Sequence, residues 1–172
     1  RVAIASVIAA RPSLLVMDEP FSGIDAASAQ NLVILLSDLR RRLGITLLVF
    51  EHRTAYLLPV TDRLIVMRAG AILSDTRSGL PAYPGAAGCI RSTGPGPASG
   101  TPPGAREYSH QDLPDPALSL RDIRFRYPGA RTSALDDITL DFYPGELTIL
   151  AGSNGSGKTT LALELEKELF YR

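Results

Sequence analysis

A mixed α/β fold, with a mostly parallel sheet and an antiparallel β subdomain, is what this sequence predicts. Three observations lead there. Short apolar runs at Leu14–Met17, Ile45–Phe50 and Leu147–Ala151 have the length and bulk of buried strands. The leucine-rich segment Ala26–Leu43 separates the first two at helical spacing, and strands alternating with helices indicate parallel pairing. Ala117–Tyr127 and Ala134–Tyr143 instead alternate apolar and polar residues, the pattern of half-exposed antiparallel strands.

Taken in order, Arg1–Ala10 is alanine- and valine-rich and reads as a helix ended by Pro12. The run Leu14-Leu15-Val16-Met17 closes on Asp18-Glu19-Pro20, two carboxylates at a strand's carboxyl end. Ser22–Asp25 is a turn, and Asp25 or Ser28 caps the next helix. That helix carries Leu32, Leu35, Leu36, Leu39 and Leu43 on one stripe and stops at Gly44. Arg40-Arg41-Arg42 reads as its solvated end rather than as a binding patch. Ile45–Phe50 leads into Glu51-His52-Arg53, again at a strand end. Thr54–Pro59 suits a short helix, and Arg63–Met67 with Ala71–Ser74 suit a small hairpin around Ala69-Gly70.

From Thr76 to about Pro116, glycine, proline, serine and alanine dominate. Such a segment buries too little apolar surface to offset its ordering entropy, so it reads as a flexible linker. Cys89 and His110 fall in it and are given no chemical role. Beyond it, Leu118, Leu120, Ile123, Phe125 and Tyr127 mark one face of a strand. Pro128-Gly129 and Pro144-Gly145-Glu146 mark turns on either side of the next.

The stretch Leu147–Leu165 carries the most specific chemistry. Gly152-Ser153-Asn154-Gly155-Ser156-Gly157-Lys158-Thr159 fits G-x-x-x-x-G-K-[ST] between an apolar run and a helical one, the context that a phosphate-binding loop needs. Gly155 and Gly157 would let the backbone curl around phosphate oxygens, and a helix N-terminus offers them unpaired N–H groups. Lys158 would reach the β- and γ-phosphates, Thr159 would place its hydroxyl on Mg²⁺, and Thr160 would support the α-phosphate side. In open α/β sheets ligands bind beyond the carboxyl ends of the strands, where Asp18, Glu19, His52 and this loop all fall.

Composition narrows the classes. At 172 residues the chain has room for one domain of ordinary size. Basic and acidic residues number 18 each, so no basic surplus argues for nucleic acid. One cysteine permits neither an internal disulfide nor a cysteine-cluster metal site. No apolar run approaches the roughly 20 residues of a membrane span, and Arg1–Ala10 does not read as a secretory signal. Both ends read as cut within elements.

Together these motifs resemble the nucleotide-binding subunits of ABC transporters, and most closely the fused two-domain ATPases of energy-coupling-factor (vitamin and cobalt) importers. LLVMDEP is similar to their Walker B strand, SGID to the D-loop, FEHR to the switch-histidine segment and FRYPG to the adenine-stacking segment. RVAIA is similar to the residues just beyond a signature motif. The resemblance implies an incomplete, ABC ATPase-like P-loop NTPase fold. Residues 1–76 would be the C-terminal half of a first ATPase domain, 77–116 the linker, and 117–172 the N-terminal part of a second. It implies that Asp18 holds Mg²⁺ through water, that Glu19 orients and deprotonates the attacking water, and that His52 contacts the γ-phosphate. Tyr127 would stack on adenine, and Asp25 would communicate across a domain pair. ATP and Mg²⁺ are the implied cofactors, with transmembrane transporter subunits and a second ATPase domain as partners and no nucleic acid. The implied place is the cytoplasm, peripheral on the inner face of the cell membrane.

Two alternatives stay open: a soluble ABC ATPase acting on DNA or ribosomes, and a non-hydrolysing fragment that at most binds nucleotide. The LSGGQ-like signature and the glutamine loop are not present, and Glu51 and Arg53 flank His52 where relatives often carry threonine and aspartate. The two motif-bearing segments are expected to dock as one permuted core, with Lys158 facing Asp18, Glu19 and His52.

Overall fold

The computed structural model describes residues 12–77 and 114–170. The helix expected at Arg1–Ala10, most of the linker, Cys89 and His110 lie outside them. In chain order the elements are β1 (Leu14–Asp18), α1 (Ala26–Leu43), β2 (Thr46–Glu51), two 3₁₀ turns (Thr54–Tyr56 and Leu58–Val60), β3 (Arg63–Arg68) and β4 (Ala71–Arg77). Next come β5 (Leu118–Phe125), β6 (Leu135–Phe142), β7 (Leu147–Gly152) and α2 (Lys158–Phe170). The fold is mixed α/β, as expected.

One sheet has the order β1-β2-β7-β3-β4, parallel except for β4, which pairs antiparallel with β3. The hairpin read around Ala69-Gly70 is therefore part of the main sheet, because β3 also pairs with β7. The late strand β7 is inserted between β2 and β3, so the two distant segments do share one core. Strands β2 and β7 have neighbours on both sides and layers on both faces, which is why they read as unbroken apolar runs. The edge strand β4 is mostly exposed.

Side chains alternate across the sheet and build two cores. Leu47, Val49, Leu147 and Ile149 face α1, where Leu36 and Ala29 meet them along with Phe21 and Leu57. Leu48, Phe50, Ile65 and Leu150 face the other way, towards Leu161 and Leu165 of α2. The β5–β6 ribbon joins that second core through Leu118, Leu120, Leu135, Ile138 and Phe142.

Four local differences have physical causes. The β5 pattern steps three residues from Leu120 to Ile123 because a bulge intervenes, with Asp122 at φ 51. Strand β4 runs three residues past Ser74, and its last residue, Arg77, pairs with Glu146 at 3.0 Å and lies 4.6 Å over the Tyr143 ring. Thr54–Pro59 forms two 3₁₀ turns rather than one helix. Arg40 is not a solvated helix end: it donates to the carbonyls of Gly145 and Val60 and pairs with Asp62.

Candidate functional site

The parallel strands deliver their chemistry at one end. Asp18 ends β1, Glu51 ends β2 with His52 next, and the glycine loop comes directly after β7. Since β2 lies between β1 and β7, His52 emerges between the acidic turn and the loop, the outer strands being roughly 10 Å apart.

The loop has the form its glycines permit. Gly155 and Gly157 have φ of +78° and +103°, where side chains with a Cβ are strained. A Cβ on Gly157 would lie 2.6 Å from the Ala134 carbonyl, and one on Gly152 would lie 2.7 Å from that of Met67. The loop is closed by Ser156 N–H donating to the Ser153 carbonyl at 3.1 Å, and braced by Gly70 N–H donating to Ser156 at 2.9 Å. Helix α2 then starts at Lys158, and its first-turn N–H groups have no acceptor within the helix. The Lys158 ammonium, almost buried, donates to the Gly152 and Ser153 carbonyls at 2.9 and 3.2 Å. A loop whose glycines sit at positive φ, a helix N-terminus and a cation beside it fit a phosphate group.

A cleft of about 710 Å³ opens over this loop, lined among others by Glu19, Tyr127, Asn154, Gly155, Lys158, Thr159 and Thr160. It brings the acidic turn, the loop and the aromatic residue into one space. Asp18 and His52 do not line it. Asp18 is exposed at the end of β1, whereas His52 reaches the cleft's edge through Glu19, whose Oε1 lies 3.4 Å from its Nδ1. Glu19 sits at φ 46, a conformation costing about 1–2 kcal/mol for a residue with a Cβ. It is held there by its N–H donating to Phe50 and its carbonyl accepting from Ser22.

The Tyr127 hydroxyl lies 3.1 Å from that of Thr160, and its ring stands edge-on to Phe125 with centroids 4.8 Å apart. The ring is half exposed and also borders a second hollow of about 760 Å³ that includes Phe125 and Leu163. Of the two candidate caps for α1 the structure chooses Asp25, which accepts the Ser28 N–H at 2.9 Å; that hydrogen bond holds its carboxyl below the usual range. Among the described residues no cluster of three metal-binding side chains forms.

Sequence reasoning missed three parts of the site. The Ala69-Gly70 turn and the Thr132–Ala134 segment line the cleft, yet neither carries a local signal beyond a glycine in a hairpin. Glu51, noted only as a departure beside His52, is fully buried and hydrogen-bonded to both strand exits.

A glycine loop after a parallel strand, feeding a helix and facing an acidic turn two strands away, is the arrangement of a P-loop α/β fold. Residues 135–169 match the family described as "ABC transporter". The chain is similar to two proteins named "Putative ABC transporter ATP-binding protein". One, from Treponema denticola, is 36% identical over 94% of this chain and 33% of its own length. The other, from Methanosarcina mazei, is 30% identical over 96% of this chain and 35% of its own. The chain is thus similar to ABC transporter ATP-binding proteins, and its mixed α/β fold is consistent with a partial ABC ATPase P-loop fold. It spans about a third of the length of the curated relatives it matches. No solved structure matches it. Among the described residues no helix is long and apolar enough to cross a membrane.

Proposed function

We propose that this chain is an ATP-binding part of an ABC transporter ATPase, of the energy-coupling-factor importer type, coupling Mg-ATP hydrolysis to uptake of a small solute. The observation that carries this reading is that Glu19 and Lys158, from segments far apart in sequence, line one cleft together with Tyr127. In this reading the loop amides and Lys158 bind the triphosphate, and Tyr127 offers the base a flat face. Thr159 and Asp18 would hold Mg²⁺, which when bound neutralises charge developing on the phosphates. Glu19 takes the proton of the attacking water, and His52, 3.4 Å from Glu19, orients it beside the γ-phosphate.

The importer type rests on the joint resemblance of the LLVMDEP, SGID, FEHR and FRYPG segments to energy-coupling-factor ATPases, the residues flanking His52 being a departure from it. The partners in this reading are a second ATPase domain, which would supply the signature side of the ATP sandwich, and transmembrane subunits at the inner face of the membrane. The domain reading (1–76, 77–116, 117–172) belongs to the same proposal.

Binding of a fluorescent ATP analogue, with and without Mg²⁺, tests the reading directly. Saturable, Mg²⁺-enhanced binding that ADP competes away is the expected result. No binding at millimolar nucleotide would overturn it. Phosphate release compared with that of Glu19→Gln then separates a hydrolysing chain from one that binds alone.

A further inference from the structure

Glu51 is a carboxylate with 0% exposure at the end of β2, and nothing in the proposed reaction uses it. Isolated buried charges are costly, so its partners matter. Its Oε1 accepts from the N–H groups of His52 and Arg53, each at 2.9 Å. Its Oε2 accepts the N–H of Phe21 at 3.3 Å, from the turn that leaves β1. The His52 Nδ1 lies 3.2 Å from the same Oε1. Three backbone donors from two strand exits therefore converge on two oxygens of one side chain, with the His52 ring beside one of them.

The surroundings favour one place for the ring proton. A carboxylate oxygen accepts, so a ring nitrogen beside it is more favourably the protonated one. Nδ1 lies 3.2 Å from a Glu51 oxygen and 3.4 Å from a Glu19 oxygen, so both neighbours favour the proton on Nδ1. The turn side is equally constrained. Phe21 is nearly buried and stacks on Tyr56 at 5.9 Å, and Glu19 two residues earlier sits in the left-handed region. Holding the Phe21 amide thus also limits where the Glu19 side chain can stand.

We propose that Glu51 is a positioning residue: its buried carboxylate fixes the His52 imidazole with Nδ1 protonated and ties the Glu19–Ser22 turn to the end of β2. Glu19 and His52 then keep a common spacing because one side chain holds the His52 amide and, two residues after Glu19, the amide of Phe21. The catalytic use of that spacing rests on the proposed function; the clamp itself does not.

The test reads the ring and the turn separately, in the absence of nucleotide. The chain has two histidines, so Nδ1 and Nε2 signals of His52 can be assigned in long-range ¹H–¹⁵N spectra by comparison with His110→Gln. At a pH where the ring is neutral, wild type and Glu19→Gln are expected to show the Nδ1–H tautomer. Glu51→Ala is expected to show a mixture. Glu51→Gln presents one carbonyl, which the two backbone donors on the Oε1 side and the neighbouring Nδ1 retain, leaving its NH₂ opposed to the Phe21 N–H. It should keep the tautomer while Phe21 amide exchange rises about tenfold or more. That split is not expected of a side chain that merely fills space. A wild-type ring protonated on Nε2 would overturn the proposal, as would a Glu51→Gln chain with unchanged Phe21 exchange. Both readouts survive if Glu51→Ala does not fold. Failure of ATP to bind would refute the proposed function and leave both of them standing.

Discussion

Arg40 Nε donates a 2.8 Å hydrogen bond to the carbonyl of Gly145, 105 positions further along the chain. Its guanidinium also pairs with Asp62 at 2.8 Å, and Asp62 accepts the Leu147 N–H at 2.8 Å. One side chain on α1 therefore organises the start of the strand that carries the glycine loop. Arg40→Met keeps the stem but strips these partners. Discounted for partial exposure, the expected loss is about 1–3 kcal/mol by urea denaturation. Arg40→Lys should fall between, since the planar fork is lost and the charge kept. An unchanged midpoint for Arg40→Met would show that the joint is held by packing alone.

Lys158 supplies the second prediction. Its ammonium already bonds two loop carbonyls, so it stands poised beside the cradle before any phosphate arrives. Removing a charged hydrogen bond costs about 1.5–3 kcal/mol, so Lys158→Ala should bind ATP roughly 10- to 100-fold more weakly. Titration calorimetry with Mg-ATP measures this. Equal affinity would remove Lys158 from the site.

Much of this arrangement was legible because the signal was local. Gly152–Thr159 carries its own backbone requirements, and the runs at Leu14, Ile45 and Leu147 are apolar because each strand is covered on both faces or nearly so. What escaped depends on residues far apart in sequence. Arg40 reads as a helix-end arginine until Gly145 is beside it, and Glu51 reads only as a strand-end neighbour of His52 until the Phe21 turn is beside it. The bulge at Asp122 hid in a pattern that looked regular because the skipped residue is polar.

The two loop glycines should respond differently to alanine. At Gly155 (φ +78°) a Cβ meets nothing within 4 Å, so Gly155→Ala suffers backbone strain of about 1–2 kcal/mol. At Gly157 (φ +103°) the same strain is joined by an Ala134 carbonyl 2.6 Å away. Gly157→Ala should therefore lower the midpoint of thermal unfolding clearly more than Gly155→Ala. The opposite order would mean that the 132–134 segment yields freely.

Tyr127 separates stacking from hydrogen bonding. Tyr127→Phe loses the 3.1 Å contact with Thr160 but keeps the ring, and should change ATP affinity little. Tyr127→Ala removes an aromatic contact worth about 0.5–1.5 kcal/mol, so affinity should fall roughly 2- to 12-fold. Inorganic triphosphate should bind both variants alike. Equal ATP affinity in the alanine variant would place the base elsewhere.

Glu146 gives the fold a defined pH dependence. Burial raises its carboxyl above the ordinary value, despite the opposing pull of Arg77 3.0 Å away. An acid with a raised folded pKa holds its proton more tightly in the native state. Its contribution to stability is therefore full below the unfolded value and is lost as pH rises through the folded one. Asp25 has the opposite sign, because its carboxyl is depressed by the Ser28 hydrogen bond and stabilises above the unfolded value. Comparing wild type with Glu146→Gln cancels the Asp25 effect and isolates the buried group. The glutamine chain should be at least as stable as wild type at pH 7 in urea denaturation. That advantage should shrink as pH is lowered towards 4, where the wild-type carboxyl becomes neutral as well. A glutamine variant less stable at neutral pH, and recovering in acid, would mean that the Arg77 pair outweighs the cost of burial.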